Sequence, residues 1–295
     1  MNFPRCEPRI RNSRRLAALL VLLLAAIPFG APQQPSLKAN ARKGPDRKDE
    51  VRDRLLSLDL RSKGPPALSA DAIVQKMMET SARRSAELRG FRATRSYHLE
   101  YHGFLGTREA SMRVVSTYTA PDKLDFSIVA ENGSKLLLNR VLLKLLDSER
   151  EAFRDQSKIE LSPANYRFNS QGIDRSSYGD DPSYVLAVIP RKENRFLYRG
   201  KVWIDAYDFA LSKMEGQPAK SPSFWIKDTQ IDSTWTKVGK FWLIQHSRSL
   251  SHIRMGGMAT LTIDYSDYQI TDAAQSQGRG QQPQLPDPSS ITPQR

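Results

Sequence analysis

Residues Phe196–Tyr268 read FLYRGKVWIDAYDFALSKMEGQPAKSPSFWIKDTQIDSTWTKVGKFWLIQHSRSLSHIRMGGMATLTIDYSDY. The stretch is a succession of short apolar/polar alternations broken by turn residues. A period of two is what half-buried antiparallel strands require, because successive side chains point to opposite faces of a sheet. Phe196, Tyr198, Val202 and Ile204 share one parity, and Arg199, Lys201 and Asp205 share the other. Ala259, Leu261, Ile263 and Tyr265 repeat the pattern against Thr260, Thr262 and Asp264. Val238-Gly239-Lys240 predicts a hairpin turn between Ser233–Thr236 and Phe241–His246, and Arg254–Gly257 turns the chain into its last strand.

Working outward, both ends of the chain are of different character. Arg5, Arg9, Arg11, Arg14 and Arg15 precede an apolar run, Leu16–Phe29, which is the layout of a secretory leader. Ala39-Asn40-Ala41 and Gly30-Ala31 are alternative cleavage sites, and an uncleaved anchor is the competing reading. Residues 1–41 are thus expected to be a signal peptide, 42–68 a polar linker, 69–271 the folded domain and 272–295 a disordered tail rich in Gln and Pro. This places the protein in the periplasm. The sole cysteine, Cys6, lies in the leader, so the exported part has no disulfide, thiol nucleophile or thiolate metal site. Cys6 also precedes the apolar run, where a lipoprotein signal needs a cysteine after it.

The formal charge is +13. Within residues 1–41, six Lys and Arg against Glu7 give +5, which leaves +8 for the rest. Scattered Lys and Arg account for this as a soluble surface. Aromatics interleave with bases around Trp235–Trp242, a pattern that stacks on nucleic acid in some proteins. Core packing is the commoner use, and a secretory leader argues against a nucleic-acid partner.

Inside the domain, Ser69 or Asp71 caps a helix running to about Leu88, with Ile73, Val74, Met77 and Met78 at helical spacing and Gly90 as its stop. Strands follow at Arg95–Gly103, Arg108–Tyr118 and Lys123–Ala130, with Tyr97, Leu99 and Tyr101 facing opposite to His98, Glu100 and His102. Asn132-Gly133 is a turn. Ser134 then caps a second helix, Lys135–Glu151, whose Leu136, Leu137, Leu138, Val141, Leu142, Leu145 and Leu146 form a broad apolar face. Hiding each leucine gains about 1.5–3 kcal/mol, so this helix packs on the sheet or closes a cavity against it. Asn139, Arg140 and Lys144 argue against membrane insertion. Further strands are expected near Asn165–Asn169 and Tyr184–Ile189.

Several local phrases carry a family resemblance. They are Asn165-Tyr166-Arg167-Phe168, Tyr184-Val185-Leu186-Ala187-Val188-Ile189-Pro190, Tyr198-Arg199-Gly200-Lys201-Val202-Trp203-Ile204-Asp205, Glu215-Gly216, Ser221-Pro222-Ser223-Phe224-Trp225 and Leu261-Thr262-Ile263-Asp264-Tyr265-Ser266-Asp267-Tyr268. With the order leader, helix, meander, apolar helix, meander, the chain resembles LolA/LolB-like outer-membrane lipoprotein-sorting proteins over residues 69–271. The resemblance implies an α+β, mainly β fold: an incomplete antiparallel barrel, or half-barrel, with helices over its concave face. It implies a lipid or lipoprotein acyl chain as ligand, envelope membrane proteins as further partners, and no catalysis. It assigns no individual residue. A monomer is expected, with no cofactor. On this reading the apolar cavity or lid comprises Leu138, Leu142, Leu145, Phe196, Tyr198, Val202, Ile204, Leu261 and Ile263. The alternative is an envelope sensor or protein-interaction module on the same fold, as in RseB-like relatives.

No catalytic motif stands out. His98, Glu100 and His102 share a strand face and are ligand types that zinc accepts, but positions i to i+4 of a strand span about 13 Å, and a solvated face is the simpler reading. His246 and His252 lie in no Ser/His/Asp arrangement. Asp180-Asp181 with Asp208, and Asp264 with Asp267, suit turns better than paired acids. There is no phosphate-binding glycine loop.

Overall fold

The computed structural model describes residues 64–104, 106–154, 159–175, 181–221, 223–254 and 256–273. The leader, most of the linker and the tail expected from the sequence lie outside these residues. Helix α1 is Ala70–Glu87, and the Ser69 hydroxyl accepts from the Ala72 amide at 3.2 Å, satisfying one of the donors a helix start leaves free. Ile73, Val74 and Met77 bury its inner stripe. The helix passes directly into β1, Leu88–Gly103. Gly90, expected as the helix stop, is instead a residue of that strand. A Cβ there would meet the Tyr118 carbonyl oxygen at 2.6 Å, so the glycine permits close strand approach.

Nine more strands follow: β2 Gly106–Thr119, β3 Lys123–Gly133, β4 Tyr166–Asp174, β5 Ser183–Pro190, β6 Tyr198–Asp205, β7 Leu211–Pro218, β8 Ile226–Val238, β9 Phe241–Ile253 and β10 Met258–Asp272. They form one ten-stranded antiparallel sheet in the order β3-β2-β1-β10-β9-β8-β7-β6-β5-β4. Every neighbour is a hairpin partner in sequence except β1 and β10, which pair over most of their length. β8 and β9 are joined through Gly239-Lys240, where Gly239 takes φ +62°. The edges β3 and β4 do not pair, so the barrel is incomplete. Each edge carries an extra residue, Val129 in β3 and Gln171 in β4, where the register slips against the neighbouring strand. Bulges of this kind twist an edge away from further pairing.

Between the two edges runs the segment that follows β3. It comprises α2 (Lys135–Leu137), a π-helical turn (Leu138–Leu142) and α3 (Leu143–Arg154). Ser134 precedes it as expected but makes no side-chain cap bond. This crossing helix shows how far the sheet curves. Phe153 packs on Tyr118 of β2 at 5.8 Å between ring centroids, while Glu151 accepts from Arg195 just before β6 at 2.8 Å. Six strand spacings separate β2 from β6, which in a flat sheet is about 29 Å. A helix about 10–12 Å across with its side chains touches both only if the sheet folds around it. The half-barrel is therefore a consequence of what α3 contacts.

Candidate functional site

The crossing helix fills the inner face of the half-barrel. Leu137, Leu138, Val141, Leu142, Leu145 and Leu146 are all buried, with Leu142 and Leu145 at 0 % exposure. They join one hydrophobic cluster with Tyr198, Val202 and Ile204 of β6 and with Leu261 and Ile263 of β10. Of the residues expected to form the cavity or lid, all but Phe196 meet in this cluster. Phe196 sits before β6 starts and packs instead with Ala152 and Ile159. Its parity with Tyr198 was misleading because the chain there is a turn, with the Phe196 amide donating to Asn194 Oδ1. Asp205, expected on the polar side, is also buried. Its Oδ1 accepts from the Tyr207 and Asp208 amides and so closes the β6–β7 turn.

One polar group crosses this apolar interface. Glu149 of α3 is buried against Arg95 of β1, and the two form a direct ion pair with 6 % exposure on each side. Among the described ion pairs it is the one with both partners buried. Tyr97, also on β1, donates its hydroxyl to the other Glu149 oxygen at 3.2 Å. The Arg95 guanidinium lies 4.9 Å from the Phe126 ring of β3 and 5.1 Å from the Tyr265 ring of β10, distances at which a ring face attracts a cation. Burial works against the Arg95 charge, but the Glu149 carboxylate overcomes it and raises the guanidinium's pKa. Burial likewise raises the Tyr97 and Tyr265 hydroxyls. Arg95 Nε and the Tyr265 hydroxyl have no partner among the described residues. The sequence reading missed this cluster. Its signal was a charged residue, Arg95, sharing the inward parity of Tyr97, Leu99 and Tyr101, and an acid on the apolar side of the second helix.

A cavity of about 110 Å³ lies beside α1, walled by Met77, Met78, Phe209, Trp235, Trp242 and Leu243. None of the residues expected for the cavity or lid lines it. Arg84 and Glu160 are its charged members. Arg84 donates to the Asp208 carbonyl at 2.6 Å, and desolvation lowers its pKa. Burial raises the Glu160 carboxyl. Asp208 in turn holds Lys237 at 2.6 Å and the Trp242 indole at 2.9 Å. Trp235 and Trp242 therefore serve packing and hydrogen bonding inside the fold.

On the outer face, Glu100 reaches both neighbouring histidines, with His98 Nε2 at 2.8 Å and His102 Nε2 at 3.6 Å. Side chains leaning along the strand shorten the separation that backbone rise alone implies. The His98 hydrogen bond lowers the Glu100 pKa. His246 pairs with Asp264 and His252 with Asp228 across strands. Among the described residues no group of three or more His, Cys, Asp or Glu is arranged to hold a metal ion. No described helix is long and apolar enough to cross a membrane.

No family model and no curated protein matches the chain. Solved structures similar to it include a DUF1329 family protein from Desulfovibrio piger, at 12 % identity and TM-score 0.39, covering 69 % of this chain and 94 % of that one. An outer membrane lipoprotein-sorting protein domain from Vibrio parahaemolyticus aligns at 14 % identity and TM-score 0.38, covering 67 % and 93 %. A LolA superfamily protein from Nitrosomonas europaea aligns at 13 % identity and TM-score 0.29, covering 70 % and 95 %. What the site can do is argued from its own geometry.

Proposed function

We propose that this protein is a periplasmic, non-enzymatic binding protein that shelters a lipid or lipoprotein acyl chain inside the half-barrel for transport or sorting to the outer membrane. The observation that carries this reading is the crossing helix: a leucine face fills the inner sheet while one buried ion pair, Arg95–Glu149, ties it down. The cavity of about 110 Å³ is smaller than the roughly 300–1,000 Å³ of ordinary small-molecule sites. That cavity lies away from the leucine face, so on this reading a ligand enters by taking the place of the helix on the inner face.

The apolar terms of the exchange are of similar size, and separating the Arg95–Glu149 pair adds to the cost of opening. Exposing Leu138, Val141, Leu142, Leu145 and Leu146 costs on the order of 7–15 kcal/mol. An acyl chain of about 16 methylenes recovers about 13 kcal/mol at about 0.8 kcal/mol each. Chains much shorter than that do not open the lid. Basic surface charge aids approach to anionic headgroups.

The test is native mass spectrometry with lipid extraction on protein purified from a bacterial periplasm. A discrete co-purifying lipid or lipidated peptide is the expected result. Leu142→Asp weakens the packing of the helix that the ligand displaces, so it is expected to raise ligand occupancy, and unchanged or lower occupancy contradicts the lid. The filled inner face also favours a second reading, an interaction module that binds a regulatory protein. A clean mass, unchanged after incubation with lipids, selects that reading.

A further inference from the structure

The two most exposed large apolar side chains in the described residues are Phe104, at 96 %, and Phe224, at 74 %. They belong to different loops, 120 residues apart in sequence, yet the register brings them to the same end of the sheet. Phe104 tips the β1–β2 hairpin beyond the Gly103–Gly106 pair. Phe224 lies in the β7–β8 loop, just ahead of Ile226, which pairs with Ile253. Between them the β9–β10 turn follows Ile253 and leads into Met258, the partner of His102. Only β10 and β9 stand between β1 and β8, so the two tips are about 14 Å apart laterally.

The three loops support one another. The Arg254 amide donates to the Trp225 carbonyl at 2.8 Å, and the Arg254 guanidinium lies 5.3 Å from the Phe224 ring. Phe224 meets Trp225 edge to face at 5.4 Å, and Trp225 packs on the core. Tyr101 donates its hydroxyl to Gly256 at 3.3 Å. Phe224 is thus held outward by a supported frame, and Phe104 projects from the neighbouring hairpin tip.

Exposed bases outnumber exposed acids at this end of the strands. Among the described residues of the loops and strand ends at this rim, 104, 106–109, 133–136, 190–196, 218–221, 223–227, 254 and 256–257, the exposed bases include Arg108, Arg191, Lys192, Lys220, Lys227 and Arg254, against the exposed acids Glu109 and Glu193. The opposite end of the strands is mixed: it carries Glu87, Asp122, Asp174, Asp208, Asp267 and Asp272 beside the exposed bases Arg89, Arg92, Lys123 and Arg175, and there Lys123, Lys237 and Lys240 are bound into ion pairs with Asp125, Asp208, Glu87 and Asp272.

We propose that the Phe104/Phe224 rim is a docking surface for an anionic lipid bilayer, with the two rings entering the headgroup region and the surrounding bases facing lipid phosphates. Exposed aromatic tips suit the apolar side of the interface, and uncompensated bases suit the negative surface potential. Neither feature depends on the inner face opening, so the docking surface stands or falls apart from the ligand reading above.

The exported protein, with whatever leader processing the cell performs, is floated with vesicles of phosphatidylcholine and phosphatidylglycerol in equal parts, and with phosphatidylcholine alone. The expected result is binding to the mixed vesicles, weakened by added salt, and loss of affinity by about tenfold or more in the double variant Phe104→Ser, Phe224→Ser. The variant Lys220→Glu, Lys227→Glu is expected to lose the preference for phosphatidylglycerol. It carries the test should the phenylalanine variant not fold. Binding that ignores phosphatidylglycerol overturns the proposal. So does binding that survives both double variants, as it would if the leader or another face held the membrane. Wild-type protein that stays off the mixed vesicles overturns it too.

Discussion

Two helices cover the inner face, and they are attached in opposite ways. Helix α1 is capped by Ser69 and tied at half-exposed positions, with Thr80 donating to the Phe209 carbonyl at 3.1 Å and Arg84 to the Asp208 carbonyl at 2.6 Å. It leaves a cavity beside Met77 and Met78. The crossing helix makes no side-chain cap at Ser134, buries nearly its whole apolar face and is tied by the buried Arg95–Glu149 pair. Polar ties in contact with water contribute little each and are lost gradually. A buried charge pair offers two states: intact, or broken with a stranded charge. The crossing helix is therefore held by burial and one buried charge pair, and α1 by a cap and half-exposed polar ties.

The largest expected effect tests that contrast directly. Arg95→Ala strands Glu149 in an apolar core and is expected to cost about 3–5 kcal/mol, measured by urea unfolding. Replacing both partners, Arg95→Leu with Glu149→Leu, is expected to restore most of that loss, because two apolar side chains no longer pay desolvation. A double variant as unstable as the single one would show that the pair does not act as a unit.

A smaller effect separates the two helix starts. Ser69→Ala removes a side-chain cap and is expected to cost about 1 kcal/mol. Ser134→Ala removes none and is expected to leave stability within about 0.5 kcal/mol of the parent. Equal losses at the two serines would erase this half of the comparison.

The smallest effect concerns acid. Burial pushes the Asp208 carboxyl up, but its bonds to Lys237 and Trp242 and the nearby Arg84 outweigh it, so the pKa is lowered. The deprotonated form therefore favours the folded state. This contribution is complete above the unfolded-state pKa of about 3.9 and is lost as the pH falls through the lower folded value. Asp208→Asn is expected to flatten the dependence of Tm on pH below about 5, while Arg95→Ala lowers Tm across the whole range.

Much of the fold was legible in the chain itself. Alternation marked the strands, Ser69 marked the start of α1, and Gly239 marked the β8–β9 turn, because each depends on neighbours within a few residues. The strand ends were less legible. Arg95 was read as the start of β1, yet the strand begins at Leu88, since pairing with β10 and β2 extends it. Phe196 was read into a strand that starts after it, because parity continues through a turn that side-chain hydrogen bonding defines.

The sequence by itself determined an all-antiparallel meander interrupted by one leucine-rich helix, since period, propensity and turn chemistry are local properties. Only the tertiary structure decided that Arg95 meets Glu149, 54 positions away, and that Phe104 and Phe224 share a rim. Which charge is buried and which ring is exposed depends on how ten strands register and curve around a helix. That curvature is set by contacts between residues far apart in the chain, to which no local pattern is sensitive.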